Sequence, residues 1–164
     1  TASQYASPTA KSTAASSLDV VVLGATQIDT QFNVNVHTDS NGYIIGGSGG
    51  HTDVAECARM TIIVAPLSRA RMPLVVDKVD CISTPGSSVD VLVTQYGVCV
   101  NPRRADLLKR FAGAGIPVAD IHEWKALAEK MNGIPRCIEH KTSRTVAKVM
   151  GRDGTQMDTI FQVE

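Results

Sequence analysis

The run Gly46-Gly47-Ser48-Gly49-Gly50-His51-Thr52-Asp53 constrains this chain more than any other stretch, because it lies between two hydrophobic runs. Four glycines in five positions give a backbone that reaches positive φ and lets another group come close. Before it, Gly42-Tyr43-Ile44-Ile45 is short, apolar and opened by a turn signal, which predicts a strand. After it, Thr52 to Met60 predicts a helix: Thr52 and Asp53 are capping types, and Ala55, Glu56, Ala58 and Arg59 suit a helix interior. Strand, glycine loop and helix start together make an anion site, since unpaired N–H groups and the helix dipole face into the loop. A packing turn where two backbones touch is the other reading, and a glycine loop alone does not separate the two.

The rest of the chain alternates strand and helix patterns. Residues 1–17 are rich in Ser, Thr and Ala without a hydrophobic period and read as a linker or arm. Leu18 to Leu23, Thr61 to Ala65 and Val89 to Thr94 are β-branched runs of the buried, parallel kind. Phe32 to Val36 alternates at strand period, and Asp39-Ser40-Asn41-Gly42 predicts a tight turn that pairs it with Tyr43 to Ile45. Leu74 to Val76, Val79 to Ile82, Val98 to Val100 and Ile116 to Val118 are further extended pieces. Arg103 to Ala114 is amphipathic and stops at Gly115, while Asp120 caps a helix over Ile121 to Met131. Thr145 to Met150 and Thr155 to Val163 flank Asp153-Gly154, the strongest hairpin cue in the chain. The pattern predicts an α/β fold: a mainly parallel sheet with helices on both faces and a C-terminal β-hairpin. Ligands of such sheets sit beyond the carboxyl ends of the strands, where Leu23-Gly24, Gly46 to Gly50 and Thr94 to Gly97 converge on one crevice.

Composition narrows the partners. Lysine and arginine number 16 against 16 acidic residues, so no footprint for nucleic acid or an anionic membrane appears. No apolar run approaches the roughly 20 residues that span a bilayer, and no secretory signal is present. Cys57, Cys81, Cys99 and Cys137 lack zinc or redox spacing and read as reduced thiols of a cytoplasmic protein. The chain opens at Thr1 rather than methionine, which reads as a processed product or a piece of a longer protein.

Several of these motifs, in order, carry a family resemblance. Leu23 to Asp29, Phe32 to Asn35, Gly46 to Asp53, Val89 to Thr94, Asn101-Pro102-Arg103-Arg104 and Arg152 to Thr155 together resemble the carboxyl-terminal part of the citrate lyase alpha chain family. The resemblance implies a CoA-transferase-like fold, with residues 18–164 forming the second domain of a longer subunit. It implies exchange of acetate for citrate on a carrier thioester, by way of a transient acyl anhydride; a non-catalytic docking half of the transferase and an α/β small-molecule-binding domain are the alternative readings. The thioester belongs to CoA or to a dephospho-CoA-type group on an acyl carrier protein, and no metal is expected. Implied partners are an amino-terminal domain of the same subunit and the beta and gamma (acyl carrier) chains, in an oligomer.

The candidate residues fit that chemistry. Acyl exchange puts negative charge on a carbonyl oxygen, which backbone N–H groups of Gly47 to Gly50 can stabilise. Gly47, Gly49, Gly50 and His51 are therefore the catalytic candidates. His51 either bonds a substrate carboxylate or caps the loop, and Asp53 reads as the helix cap. Gly46, Ser48, Asn33, Asn35 and Gln95 are substrate-side candidates around the crevice; solvent-facing alternation is the other reading of the two asparagines. Arg69 and Arg71 suit the carboxylates of citrate, or else form a solvated loop. Arg103-Arg104 either meets an anionic partner or stays structural, His37, His122 and His140 read as surface residues, and Trp124 reads as core.

Overall fold

The computed structural model describes residues 2–10 and 12–163. Its centre is a five-stranded sheet in the order β1 (Val20–Leu23), β4 (Met60–Val64), β8 (Val91–Thr94), β9 (Gly97–Val100) and β10 (Val118–Ala119). β1, β4 and β8 pair in parallel, as do β9 and β10; only the β8–β9 pair is antiparallel, closed by the short turn Gln95-Tyr96. Two small strands, β2 (Gln27–Asp29) and β3 (Val34–Asn35), pair with each other, and β2 also pairs with β7 (Val75–Val76). β5 (Ser68–Arg69) and β6 (Met72–Pro73) form a tight hairpin, and β11 (His140–Met150) and β12 (Gln156–Val163) form the C-terminal one.

Register places the two sets of side chains of the main sheet on opposite faces. Leu23, Ile63, Leu92 and Cys99 lie side by side on one face. They pack against Trp124 and Ala128 of α4 (Ile121–Asn132) and against Ile28, Phe32, Val34 and Val75 of the small sheet. Val21 and Leu23 of the same face also meet Val54 of α2 (His51–Cys57), the crossover between β1 and β4. On the other face Val91, Val93, Val98 and Val100 pack under Leu107, Leu108 and Phe111 of α3 (Ala105–Gly113). Helices thus cover both faces, as expected of a parallel arrangement rich in β-branched residues.

Several sequence expectations are revised. The period-less stretch at the start is packed structure: α1 (Ala2–Ala6) and a 3-10 turn at Ala15–Ser17 bury Ala6 and Ala15 against Val54. Leu18 to Leu23 is parallel but not buried on both faces, because β1 is the sheet's edge and Val22 is 61% exposed. The turn at Asp39–Gly42 forms, yet it pairs His37–Asp39 with Tyr43–Ile45, while Phe32 to Val36 turns back onto β2. Tyr43, Ile44 and Ile45 make only an isolated bridge and remain exposed. Val79 to Ile82 is irregular, with Val79 and Cys81 buried by side-chain packing rather than by a ladder.

The helix starts also differ in kind. Asp120 caps α4 as expected, its carboxylate accepting the His122 N–H at 2.7 Å. Asp53 does not cap α2: the N-cap is Gly50, without a side-chain bond, and Asp53 sits in the first turn. Arg103 and Arg104 both pair with the buried carboxylate of Asp90, and Arg104 also holds Asp106. That bond pattern explains the cationic helix start without an external anion.

Candidate functional site

The carboxyl ends of β1, β4 and β8 open on one side of the main sheet, and the glycine loop sits there because α2 begins there. His51 is the pin. Its Nε2 lies 2.9 Å from the Gly24 carbonyl, just past β1, and its Nδ1 lies 2.7 Å from the Thr84 hydroxyl. A carbonyl only accepts, so Nε2 carries the proton and Nδ1 takes the proton of Thr84. Burial holds the imidazole below the ordinary histidine range, with the Gly24 bond opposing it weakly. Thr52 donates to the Ser83 carbonyl at 2.5 Å, and the 83–84 segment is bonded in turn to Val34 of β3. At the other end of the loop the Ile45 N–H bonds the His37 carbonyl at 2.8 Å.

Between those anchors the loop keeps its donors free. Among the described residues, the N–H groups of Gly46, Gly47, Ser48, Gly49 and Gly50 meet no protein acceptor. A methyl group added at Gly46, Gly47 or Gly49 would stand in open space, and only Gly49 of these has positive φ, +56°. Gly50 is different. A β-carbon there would run into the Tyr5 hydroxyl and come within 2.8 Å of its ring, so the phenol of α1 lies directly on Gly50. The packing reading therefore applies at Gly50, while Gly46, Gly47 and Gly49 face solvent. Tyr5 escaped sequence analysis; its one signal is that it is the lone aromatic in residues 1–17.

The remaining candidates fall into two groups. Asn33 and Asn35 point into the protein. Asn33 bridges Asp29, at 3.0 Å, and the Gly86 N–H, at 2.9 Å. Asn35 is fully buried, accepting the His37 and Thr38 N–H groups and donating to Thr38. Neither asparagine alternates out to solvent: Asn35 holds the turn through His37 and Thr38, and Asn33 ties the 29–33 turn to Gly86. Asp29, at 2% exposure, supports them by accepting the N–H groups of Gln31 and Asn33 at 2.9 Å each. Its two turns bracket Phe32, held at φ 65°, a conformation rare for a bulky side chain.

Arg69, Arg71 and Gln95 follow the carboxyl ends of β4 and β8. The Gln95 side-chain oxygen accepts the Leu67 N–H at 2.9 Å, tying the β5–β6 hairpin to the end of β8. Ser68 bonds Asn132 of α4 and steadies the same hairpin. Its two central residues, Ala70 and Arg71, have φ of 50° and 64°, the left-handed pair of a tight hairpin turn that usually uses Asn-Gly. Arg69 and Arg71 are exposed and have no ion pair among the described residues. A cavity of about 580 Å³, lined in part by Thr30, Phe32, Asn101 and Asp120, lies elsewhere, beyond the carboxyl ends of β9 and β10. Those strands run opposite to β8, so it opens away from the glycine loop.

The other histidines are not simple surface residues. His37 Nδ1 lies 2.5 Å from the Ser83 hydroxyl, and burial, assisted by His51, holds His37 below its ordinary range against the pull of Asp158. His140 bonds Asp80, and only His122 is exposed. All four cysteines are free thiols, and burial pushes those of Cys81 and Cys99 up to about 12.

The model of the citrate lyase alpha subunit family matches residues 1–163. The chain belongs to that family. The Klebsiella pneumoniae citrate lyase alpha chain is 52% identical over 161 residues, 98% of this chain and 32% of the relative. The Escherichia coli K12 citrate lyase alpha chain is 50% identical over 163 residues, 99% of this chain and again 32% of the relative. A crystal structure of a citrate lyase alpha subunit from Streptococcus mutans, described as a complex with citrate, superposes with a TM-score of 0.95 at 44% identity. It is covered to 32% of its length by 99% of this chain. This citrate lyase alpha-family chain thus spans about a third of the length of the relatives it matches. None of its described helices is long and apolar enough to cross a membrane.

Proposed function

We propose that this chain supplies the acyl-binding part of a citrate lyase alpha subunit acting as a CoA-transferase, which exchanges acetate for citrate on an acyl-carrier thioester. The observation that carries the reading is the row of unengaged N–H groups from Gly46 to Gly50, beside open space at Gly47 and Gly49. A carboxylate oxygen of citrate attacks the acetyl thioester carbonyl, forming a mixed anhydride and releasing the carrier thiolate. The thiolate then attacks the citryl carbonyl of the anhydride, forming citryl thioester and releasing acetate. Each attack puts negative charge on a carbonyl oxygen, and preorganised N–H donors stabilise it at no cost of reorganisation. The route asks for no general base, in keeping with a His51 whose two ring nitrogens are already bonded. His51 acts here by pinning the loop and Asn35 by fixing the turn at His37 and Thr38, while Asn33 holds Gly86, two residues past the Thr84 that His51 bonds. Arg69 and Arg71 receive the remaining citrate carboxylates, and Ser48 and the amide nitrogen of Gln95 line the approach.

The thioester is that of CoA or of a dephospho-CoA-type group on the carrier chain, and the loop's donors and open glycines suit its carbonyl. The subunit works in the cytoplasm, in an oligomer with the beta and gamma chains, and residues 18–164 belong to its second domain. The four free thiols support a reducing setting. A second reading makes this part a non-catalytic docking half; the inward engagement of His51 and both asparagines favours it. Labelled citrate, offered to the full-length subunit with acetyl carrier, separates the two when the loop is altered. Exchange that falls with Gly47→Ala supports the acyl-binding reading, and exchange indifferent to every loop variant supports the docking one.

A further inference from the structure

The two edges of the main sheet are built differently. β10 is only Val118–Ala119, preceded by Pro117, and so is short and proline-blunted, as exposed edges usually are. β1 is Val20-Val21-Val22-Leu23, without charge, proline or glycine, and among the described residues it pairs on one side only, with β4. Alternate N–H and C=O groups of β1 therefore face outward unpaired. The face above it is equally unfinished. α3 covers that face from β8 to β10, but Val20, Val22 and Val64 remain 46%, 61% and 46% exposed in register beside it. A parallel arrangement of such β-branched residues is stable only when covered.

About two thirds of the length of the family's chains lies outside these residues, since the chain covers 32% of each relative. We propose that this remaining part of the subunit adds a strand to the open edge of β1 and lays a helix over Val20, Val22 and Val64. β1 is then an interior strand, and residues 18–164 do not close a domain by themselves. The inference rests on the sheet and on the length of the relatives, not on the acyl-exchange reading. It predicts that the polypeptide outside this chain is joined by backbone hydrogen bonds, not merely tethered.

The test uses the full-length subunit. Hydrogen exchange read residue by residue should slow all amides of Val20 to Leu23 by roughly 10³-fold or more, as for interior strands. Protection should not change on dilution. Val22→Lys should lower the melting temperature by about 4 °C or more, because a charge is then buried. Alternate β1 amides exchanging as freely as loop amides, with Val22→Lys neutral, overturns the proposal. Protection that disappears on dilution, together with dissociation of a dimer, means that a second copy covers the edge and overturns it equally. Citrate exchange enters none of these readouts, so failure here and failure of the transferase reading are distinguishable.

Discussion

Gly47→Ala, made in the full-length subunit, is the sharpest probe of the loop. An added methyl meets nothing within 4 Å, and the φ of Gly47 lies outside the left-handed region. The substitution therefore costs the folded state no contact and no backbone strain. It narrows the unfolded ensemble, which stabilises by about 0.4–1 kcal/mol, so the melting temperature should hold or rise. If an acyl carbonyl packs on the loop, the same methyl displaces it from its donors. Loss of one such donor is worth about 2.7–4 kcal/mol of barrier, or roughly 10²–10³-fold in rate. The assay is citrate-for-acetate exchange on acetyl carrier, read as kcat/KM beside a thermal melt. Exchange within about 2-fold of the parent, at an unchanged melting temperature, refutes the reasoning. Gly49→Ala is the poorer probe, because φ of +56° adds about 1–2 kcal/mol of strain that confuses stability with chemistry.

Three other outcomes are expected. Gly50→Ala drives a methyl into Tyr5 and should lower the melting temperature, and Tyr5→Ala in the same protein should restore part of the loss; a strictly additive double variant contradicts the contact. His51 and His37 are both held below the ordinary histidine value near 6.5, so the unfolded chain binds protons that the folded one refuses. Stability from both is complete above that value and is lost as pH falls below it toward the folded values; a melting series from pH 7.5 to 5.5 should decline, and His51→Gln should flatten the decline. Arg71→Gly relieves a φ of 64° and should raise the melting temperature while weakening citrate binding by calorimetry; unchanged affinity removes Arg71 from the anion site.

The sequence by itself determined the elements whose causes are local. Asp120 caps α4 because its carboxylate reaches a neighbouring N–H two residues on. Asp39–Gly42 turns because Asp39 bonds the Asn41 and Tyr43 N–H groups and Gly42 reaches φ 82°. The β-branched runs were legible as strands, and the glycine loop as a flexible, donor-rich link from an extended piece to a helix. Only the tertiary structure decided what those residues face. Whether Val22 is interior or edge depends on which strand arrives beside it, and whether Asn35 meets substrate or Thr38 depends on how the chain folds back. The same holds for Gly50 and Tyr5, distant in sequence and in contact in space. Side-chain type and local spacing specify a hydrogen-bonding capacity, but the partner that uses it is set by packing among remote segments. For that reason the loop was readable from residues 46–53, whereas its pin at Gly24 and Thr84 was not.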